Sequence, residues 1–260
     1  MDISAYIDSL AARGRYHFTT REVGRALELS PVAARAAVRR QRQKSRVAMP
    51  YRGFFVVVPP EYRSLGCLPA DQFVPQLMEH LGLAYYVGLL SAAALHGAAH
   101  HAPMVFQVVV ATNRLAIRCG KVRVQFTARR NVMDVPTEQR NTPRGVLRLS
   151  TPAATAFDLV GYPHAAGGFS NIATILSELQ EKVDVREFLE EANRAPLPWA
   201  QRLGYVLDRV GAESLAVPLL AQVAPRIRDY VPLRARKPAR RGQRDARWRV
   251  IVNERIEVDL

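Results

Sequence analysis

Apolar positions recur at helical spacing in three short stretches of the first sixty residues. In residues 2–13, Ile3, Tyr6, Ile7 and Leu10 share a face, Asp2 stands at the cap position, and Gly14 ends the run. Thr19 or Thr20 caps the next helix; with Thr19 as the cap, Glu22 three residues on makes a capping box, and Val23, Ala26 and Leu27 form the buried stripe. Ser30 caps a third helix, and Pro31 takes its first position, where a missing N–H costs nothing. Over residues 31–43, Ala34, Ala37, Val38 and Gln41 line one face, and Val32, Arg35, Ala36 and Arg39 line the other. Gln41 is the polar residue on the side that should be buried. Residues 46–49 and 54–58 are β-rich around a turn at Pro50–Gly53. Two short helices joined by a tight turn, arginines on the outer face of the second, and then a hairpin make a winged helix-turn-helix over residues 1–60.

Pro59, Pro60 and Pro69 mark residues 61–70 as a linker. Beyond it the pattern predicts helices over 71–81 and 84–98. A strand buried on both faces follows over 103–111, then a hairpin over 115–128 turning at Gly120, and a short strand over 145–149. Ser150 or Thr151 caps a helix begun by Pro152, and helical segments continue over 168–181, 184–194, 197–210 and 213–223. A basic loop, 234–247, leads to RWRVIVN and RIEVDL, which read as strands paired around Asn253–Glu254. The expected class is α+β: the winged helix-turn-helix, then a mixed α/β domain over 71–260 with a small sheet and many helices.

A composition of 48% hydrophobic and 23% charged residues over 260 positions fits a folded globular chain. The charge adds something new. Lys and Arg number 37 against 23 Asp and Glu, a net +14 that favours polyanionic partners. The excess is uneven: net +7 over 1–63, +5 over 64–150, −4 over 151–224 and +6 over 225–260. The chain has no apolar run of about 18 residues, and Asp2 and Asp8 stand where a signal peptide would be apolar. Cys67 and Cys119 alone cannot build a disulfide framework or a four-cysteine zinc site. A reduced cytoplasm is expected, with no membrane partner.

The candidate chemistry is therefore recognition of double-stranded DNA. The expected interface is Val32, Arg35, Ala36, Arg39, Arg40, Arg42 and Arg46, with Arg52 at the wing tip. Arg35 and Arg39 are the base readers, because the small residues beside them let the helix approach the major-groove floor. A second basic surface could come from Arg114, Arg118, Lys121, Arg123, Arg129 and Arg130 with Arg234, Arg236, Arg240 and Arg241.

Catalytic signatures are absent. No Asp-x-Asp pair is present to hold a nucleotidyl-transfer metal; Glu257–Val258–Asp259 is the only similar late pair. Gly167–Ser170 reads as a loop entering a helix. None of the four lysines follows an acid by two positions, as a restriction-type nuclease requires, and no P-loop occurs. His96 and His100 have helical metal-ligand spacing, but Gly97 and Pro103 end the helix and no carboxylate or cysteine completes the set. Ser91 with His96 lacks an acid. No enzyme, cofactor or metal is expected.

The succession of the winged helix, GFFVVVPPEY, YYVGLLSAAALHG, the buried strand, LSTPAATAFDLVG, RLGYVLDRVG and YVPL…RWRVIVN resembles the AbiEi antitoxins of type IV toxin–antitoxin, or abortive-infection, systems. The correspondence runs over Gly53–Phe55 in the wing and Ser91–Ala93 with Leu95–Gly97 in a central helix. It continues over Thr151–Pro152 with Asp158–Leu159, and over Trp248–Asn253. The resemblance implies a bacterial autorepressor that binds inverted repeats in its own promoter. It also implies a C-terminal domain that counters a nucleotidyltransferase-like toxin without a stable complex. The alternatives are a protein-interaction module that binds an acidic toxin directly and a nucleic-acid-modifying enzyme. Some relatives end in an endonuclease-like domain, whose acid and lysine residues this sequence lacks.

Overall fold

The structure, a computed structural model, describes residues 2–99, 103–235, 238 and 242–257. The described α-helices are α1 Ile3–Ala12, α2 Thr20–Ala26, α3 Pro31–Gln43, α4 Val74–His80, α5 Leu89–Leu95, α6 Pro152–Gly161, α7 Phe169–Leu179, α8 Val185–Arg194, α9 Leu197–Arg209 and α10 Glu213–Val223. The strands are β1 His17–Thr19, β2 Val47–Tyr51, β3 Phe54–Val57, β4 Tyr85–Val87, β5 Phe106–Val110, β6 Ile117–Cys119, β7 Val122–Ala128, β8 Thr137–Thr142, β9 Gly145–Ser150, β10 Val231–Pro232, β11 Gln243–Asp245 and β12 Val250–Val252. The fold is α+β. A six-stranded sheet has the order β6-β7-β5-β4-β9-β8, and two three-stranded sheets have the orders β1-β3-β2 and β10-β12-β11.

Two compact units result. The first comprises residues 1–86, 104–133 and 139–148; the second comprises 87–103, 134–138 and 149–260. This division departs from the expected boundaries at 60 and 71. The expected linker is not a free tether, since Cys67 and Leu68 are fully buried.

Within the first unit, the caps act as their side chains dictate. Asp2 accepts from the Ala5 N–H, Ser30 accepts from Ala33, and Thr19 and Glu22 satisfy one another's backbone donors. The element order α1-β1-α2-α3-β2-β3 and the antiparallel order β1-β3-β2 are those of a winged helix. β1 was not expected from sequence: three residues are too few to show a period. Two faces of β3 explain the FFVVV run. Phe55 and Val57 join Ile7, Leu10, Phe18, Val23 and Val38 in the helical core. Phe54, Val56 and Val58 instead pack with Leu68, Phe73, Leu77, Val108 and Val124. A strand covered on both sides has no polar alternation, and the wing sheet cannot be parted from the following residues without exposing that second core. Ala26, expected in the buried stripe of α2, is exposed, whereas Gln41 is buried and donates to the Ser4 hydroxyl at 3.0 Å.

The Thr19–Glu22 box carries a pH prediction. Burial alone would raise the Glu22 pKa, but hydrogen bonds from Arg15 and Thr19 outweigh it and hold the carboxyl below its ordinary 4.5. A depressed carboxylate pKa stabilises the fold above the unfolded value and loses that contribution as pH falls through the folded one. Thermal melting of the wild type should therefore weaken below about pH 4.5, and Glu22→Gln should flatten part of that slope. Identical slopes would show that this carboxylate is not linked to folding.

The second unit centres on α6, which packs against α5, α7, α8 and α9. Ala153 to Val160 are all buried, consistent with a helix apolar on every side. Phe157, Phe169, Phe188, Leu203, Val206 and Leu219 fill the surrounding core.

Three expectations are corrected. The helix expected over 84–98 is divided: Tyr85–Val87 is strand β4, Gly88 interrupts, and α5 starts at Leu89. The aromatic and β-branched residues Tyr86 and Val87 are completely buried there, and burial in a sheet overrides the helical period. β8 lay hidden because TEQRNT has no apolar face. At the C-terminus, β12 pairs antiparallel with β11 and parallel with β10, not with 255–257. Residues 255–257 are not strand, and 258–260 lie outside the described residues.

Candidate nucleic-acid interface

Helix α3 presents the expected stripe. Ala34, Ala37, Val38 and Gln41 are buried, which turns Val32, Arg35, Arg39 and Arg42 outward at helical spacing. Val32 is 68% exposed, Arg35, Arg39, Arg40 and Arg42 are exposed, and Ala36 is half-buried between them. The hairpin of β2 and β3 turns in two residues: Tyr51 pairs with Phe54, Gly53 takes φ +80°, and Arg52 stands exposed at the tip. Arg46 departs from the group. It is half-buried and forms an ion pair with Asp8, ahead of any ligand.

A cleft of about 460 Å³ opens at the C-terminal end of α3. Arg39, Arg42, Gln43, Ser45 and Met49 line it together with Arg118, Cys119 and Gly120 from the β6–β7 hairpin. The sequence reading placed Arg118 in a separate domain from Arg39. No local signal could have joined them, because their proximity depends on contacts between β2 and β6.

The second basic set divides. Arg118, Lys121 and Arg130 are exposed and Arg114 is half-buried, all in the first unit. Arg123 is partly committed, donating to the carbonyls of Gly120 and Val122. Arg129 is a correction to the expected surface: it is 5% exposed and donates to the Tyr86 hydroxyl and Asn131. Arg234, in the second unit, is held by Glu254 at 2.8 Å and faces His164. Arg236, Arg240 and Arg241 lie outside the described residues.

Partition by unit sharpens the charge. Residues of the first unit hold 21 Lys and Arg against 7 Asp and Glu, a net +14. The rest of the chain holds 16 of each. The whole net charge thus belongs to the unit that contains α3 and the wing.

Catalytic candidates are absorbed into the fold. The buried His96 has Nε2 at 2.8 Å from the Ser150 carbonyl; His100 lies outside the described residues. Gly168 caps α7, and Ser170 accepts the Glu257 N–H at 3.1 Å. Asp259 lies outside the described residues. Among the described residues, no group of three or more His, Cys, Asp or Glu could hold a metal, and no helix is long and apolar enough to cross a membrane.

Fold and surface together give an α+β protein with an exposed arginine stripe on α3. Residues 86–209 match the family model described as the AbiEi antitoxin C-terminal domain. The fold is also that of the RV2827C protein from Mycobacterium tuberculosis in its crystal structure. That likeness has a TM-score of 0.68 at 16% identity and covers 95% of this chain and 89% of the other. No curated protein matches the sequence.

Proposed function

We propose that this chain is a DNA-binding antitoxin of a type IV system, acting as autorepressor on inverted repeats in its own promoter. The observation that carries the reading is the coincidence of an exposed arginine stripe on α3 with the unit that holds the entire net charge. Arg35 and Arg39 read bases, with Val32 and Ala36 giving close approach. Arg40 and Arg42 meet phosphates, and Arg52 makes the wing contact. Arg118 and Lys121 extend the phosphate-binding surface beyond the winged helix. The antitoxin domain counters a nucleotidyltransferase-like toxin without a stable complex. The protein acts in the cytoplasm through binding and not through catalysis.

The test is a salt titration of binding to DNA from the chain's own promoter. Each phosphate neutralised contributes about −0.9 to the slope of log K against log salt. Arg40, Arg42, Arg52, Arg118 and Lys121 should therefore give a slope of about −4 to −5 per protomer. Arg118→Ala should reduce the slope by about 1 while weakening operator and random DNA alike. A slope near zero, or promoter binding no tighter than to random DNA at every salt concentration, overturns the reading.

A further inference from the structure

The two cysteines stand far apart in sequence, yet the fold sets them opposite each other. Lys121 donates its N–H to the Leu65 carbonyl at 2.7 Å. One step along, Gly66 and Gly120 approach so closely that a Cβ on Gly120 would lie 2.9 Å from the Gly66 Cα and 2.1 Å from the Leu65 oxygen. Only glycine fits there, and its φ of +57° suits the turn. The next step of the same antiparallel run sets Cys67 against Cys119, and each thiol shifts the ionisation of the other. Residues directly opposite in antiparallel chains have Cα atoms about 4.5–5.5 Å apart, inside the roughly 4.4–6.8 Å that a disulfide spans.

The two sulfurs differ in access. Cys67 is completely buried, whereas Cys119, though only 8% exposed, lines the basic cleft beside Arg39, Arg42 and Arg118. Met49, from the irregular part of β2 between Ala48 and Tyr51, lines the same cleft.

We infer that Cys67 and Cys119 form an oxidisable dithiol site, in which a peroxide entering the basic cleft reacts at Cys119 and Cys67 resolves the product to an intramolecular disulfide. The Cys119 thiolate attacks one peroxide oxygen; the O–O bond breaks, hydroxide leaves, and Cys119 becomes a sulfenic acid. The Cys67 sulfur then attacks the sulfenic sulfur. The S–S bond forms, the S–O bond breaks, and hydroxide leaves with the Cys67 proton as water. With hydrogen peroxide, two thiols lose two electrons and two protons, and the peroxide becomes two waters. The ionisation order supports these roles. The neighbouring Cys67 thiol, the Met49 backbone and the nearby Arg42 charge pull the Cys119 pKa down against burial. The neighbouring Cys119 thiol and burial push that of Cys67 up.

The test treats the folded, reduced protein with hydrogen peroxide, quenches it, and counts thiols after unfolding. Both thiols should disappear, the mass should fall by two hydrogens, a peptide map should join Cys67 to Cys119 within one chain, and dithiothreitol should reverse the change. Two persistent thiols, or links only between chains, overturn the inference. Cys67→Ser should trap a sulfenic acid at Cys119, detected as a dimedone adduct, while Cys119→Ser should leave Cys67 unlabelled. Equal labelling in both variants would refute the assigned order. The wild-type arm needs no variant to fold, and none of these readouts requires DNA binding.

Discussion

Replacing Arg35 and Arg39 together by alanine should lower operator affinity at least about thirty-fold while leaving binding to random DNA much less affected. Each base contact is worth about 1–3 kcal/mol of discrimination. Two on successive turns of α3 total about 2–6 kcal/mol, and tenfold in affinity corresponds to about 1.4 kcal/mol. Neither guanidinium makes a hydrogen bond or ion pair among the described residues, and both side chains are exposed. The double variant should therefore melt within about 0.5 kcal/mol per substitution of the wild type. Fluorescence anisotropy with labelled promoter DNA, at one fixed salt concentration, separates the outcomes. Equal losses on operator and random DNA would demote these arginines to phosphate contacts. Unchanged affinity would remove α3 from the interface.

Trp248→Ala should cost the second unit about 3–5 kcal/mol, the range for deleting a large buried aromatic side chain. Trp248 is fully buried, against Gly204 of α9. A Cβ on Gly204 would lie 2.2 Å from the ring, so the glycine leaves the space that the indole occupies. The ring N–H donates to Asp208 at 2.7 Å, and its own backbone N–H donates to Asp245. Gln201 ties the Trp248, Arg249 and Asp229 carbonyls to the same helix. Truncation leaves a cavity and removes the Asp208 donor in one step. The melting midpoint should fall by about 10 °C or more. Trp248→Phe, which retains most of the volume but no N–H, should lose distinctly less. Equal losses for both variants would place the energy in the hydrogen bond and not in the packing.

Local order was legible wherever caps and period agreed. Thr19 with Glu22, Ser30 with Pro31 and Thr151 with Pro152 each bracket a helix the structure contains. The arginine stripe on α3 was legible because four buried positions at helical spacing determine the opposite face. β1 and β4 are three residues each and β8 is polar, so none shows a usable alternation. The linker reading of 61–70 followed its prolines, but the burial of Cys67 and Leu68 depends on a partner sheet distant in sequence.

The sequence by itself determined most of the helical scaffold, the hairpin that follows α3, the outward arginines and the lack of an Asp-x-Asp pair or a P-loop. These are properties of neighbouring residues, governed by capping, backbone preference and a fixed angular step. Only the tertiary structure decided that the net +14 collects in one unit, that Arg118 joins Arg39, that Arg129 is buried, that Gly204 receives Trp248, and that Cys67 meets Cys119. Those outcomes come from burying both faces of a strand and from close backbone approach across long loops, where the deciding interaction lies between residues that share no local pattern.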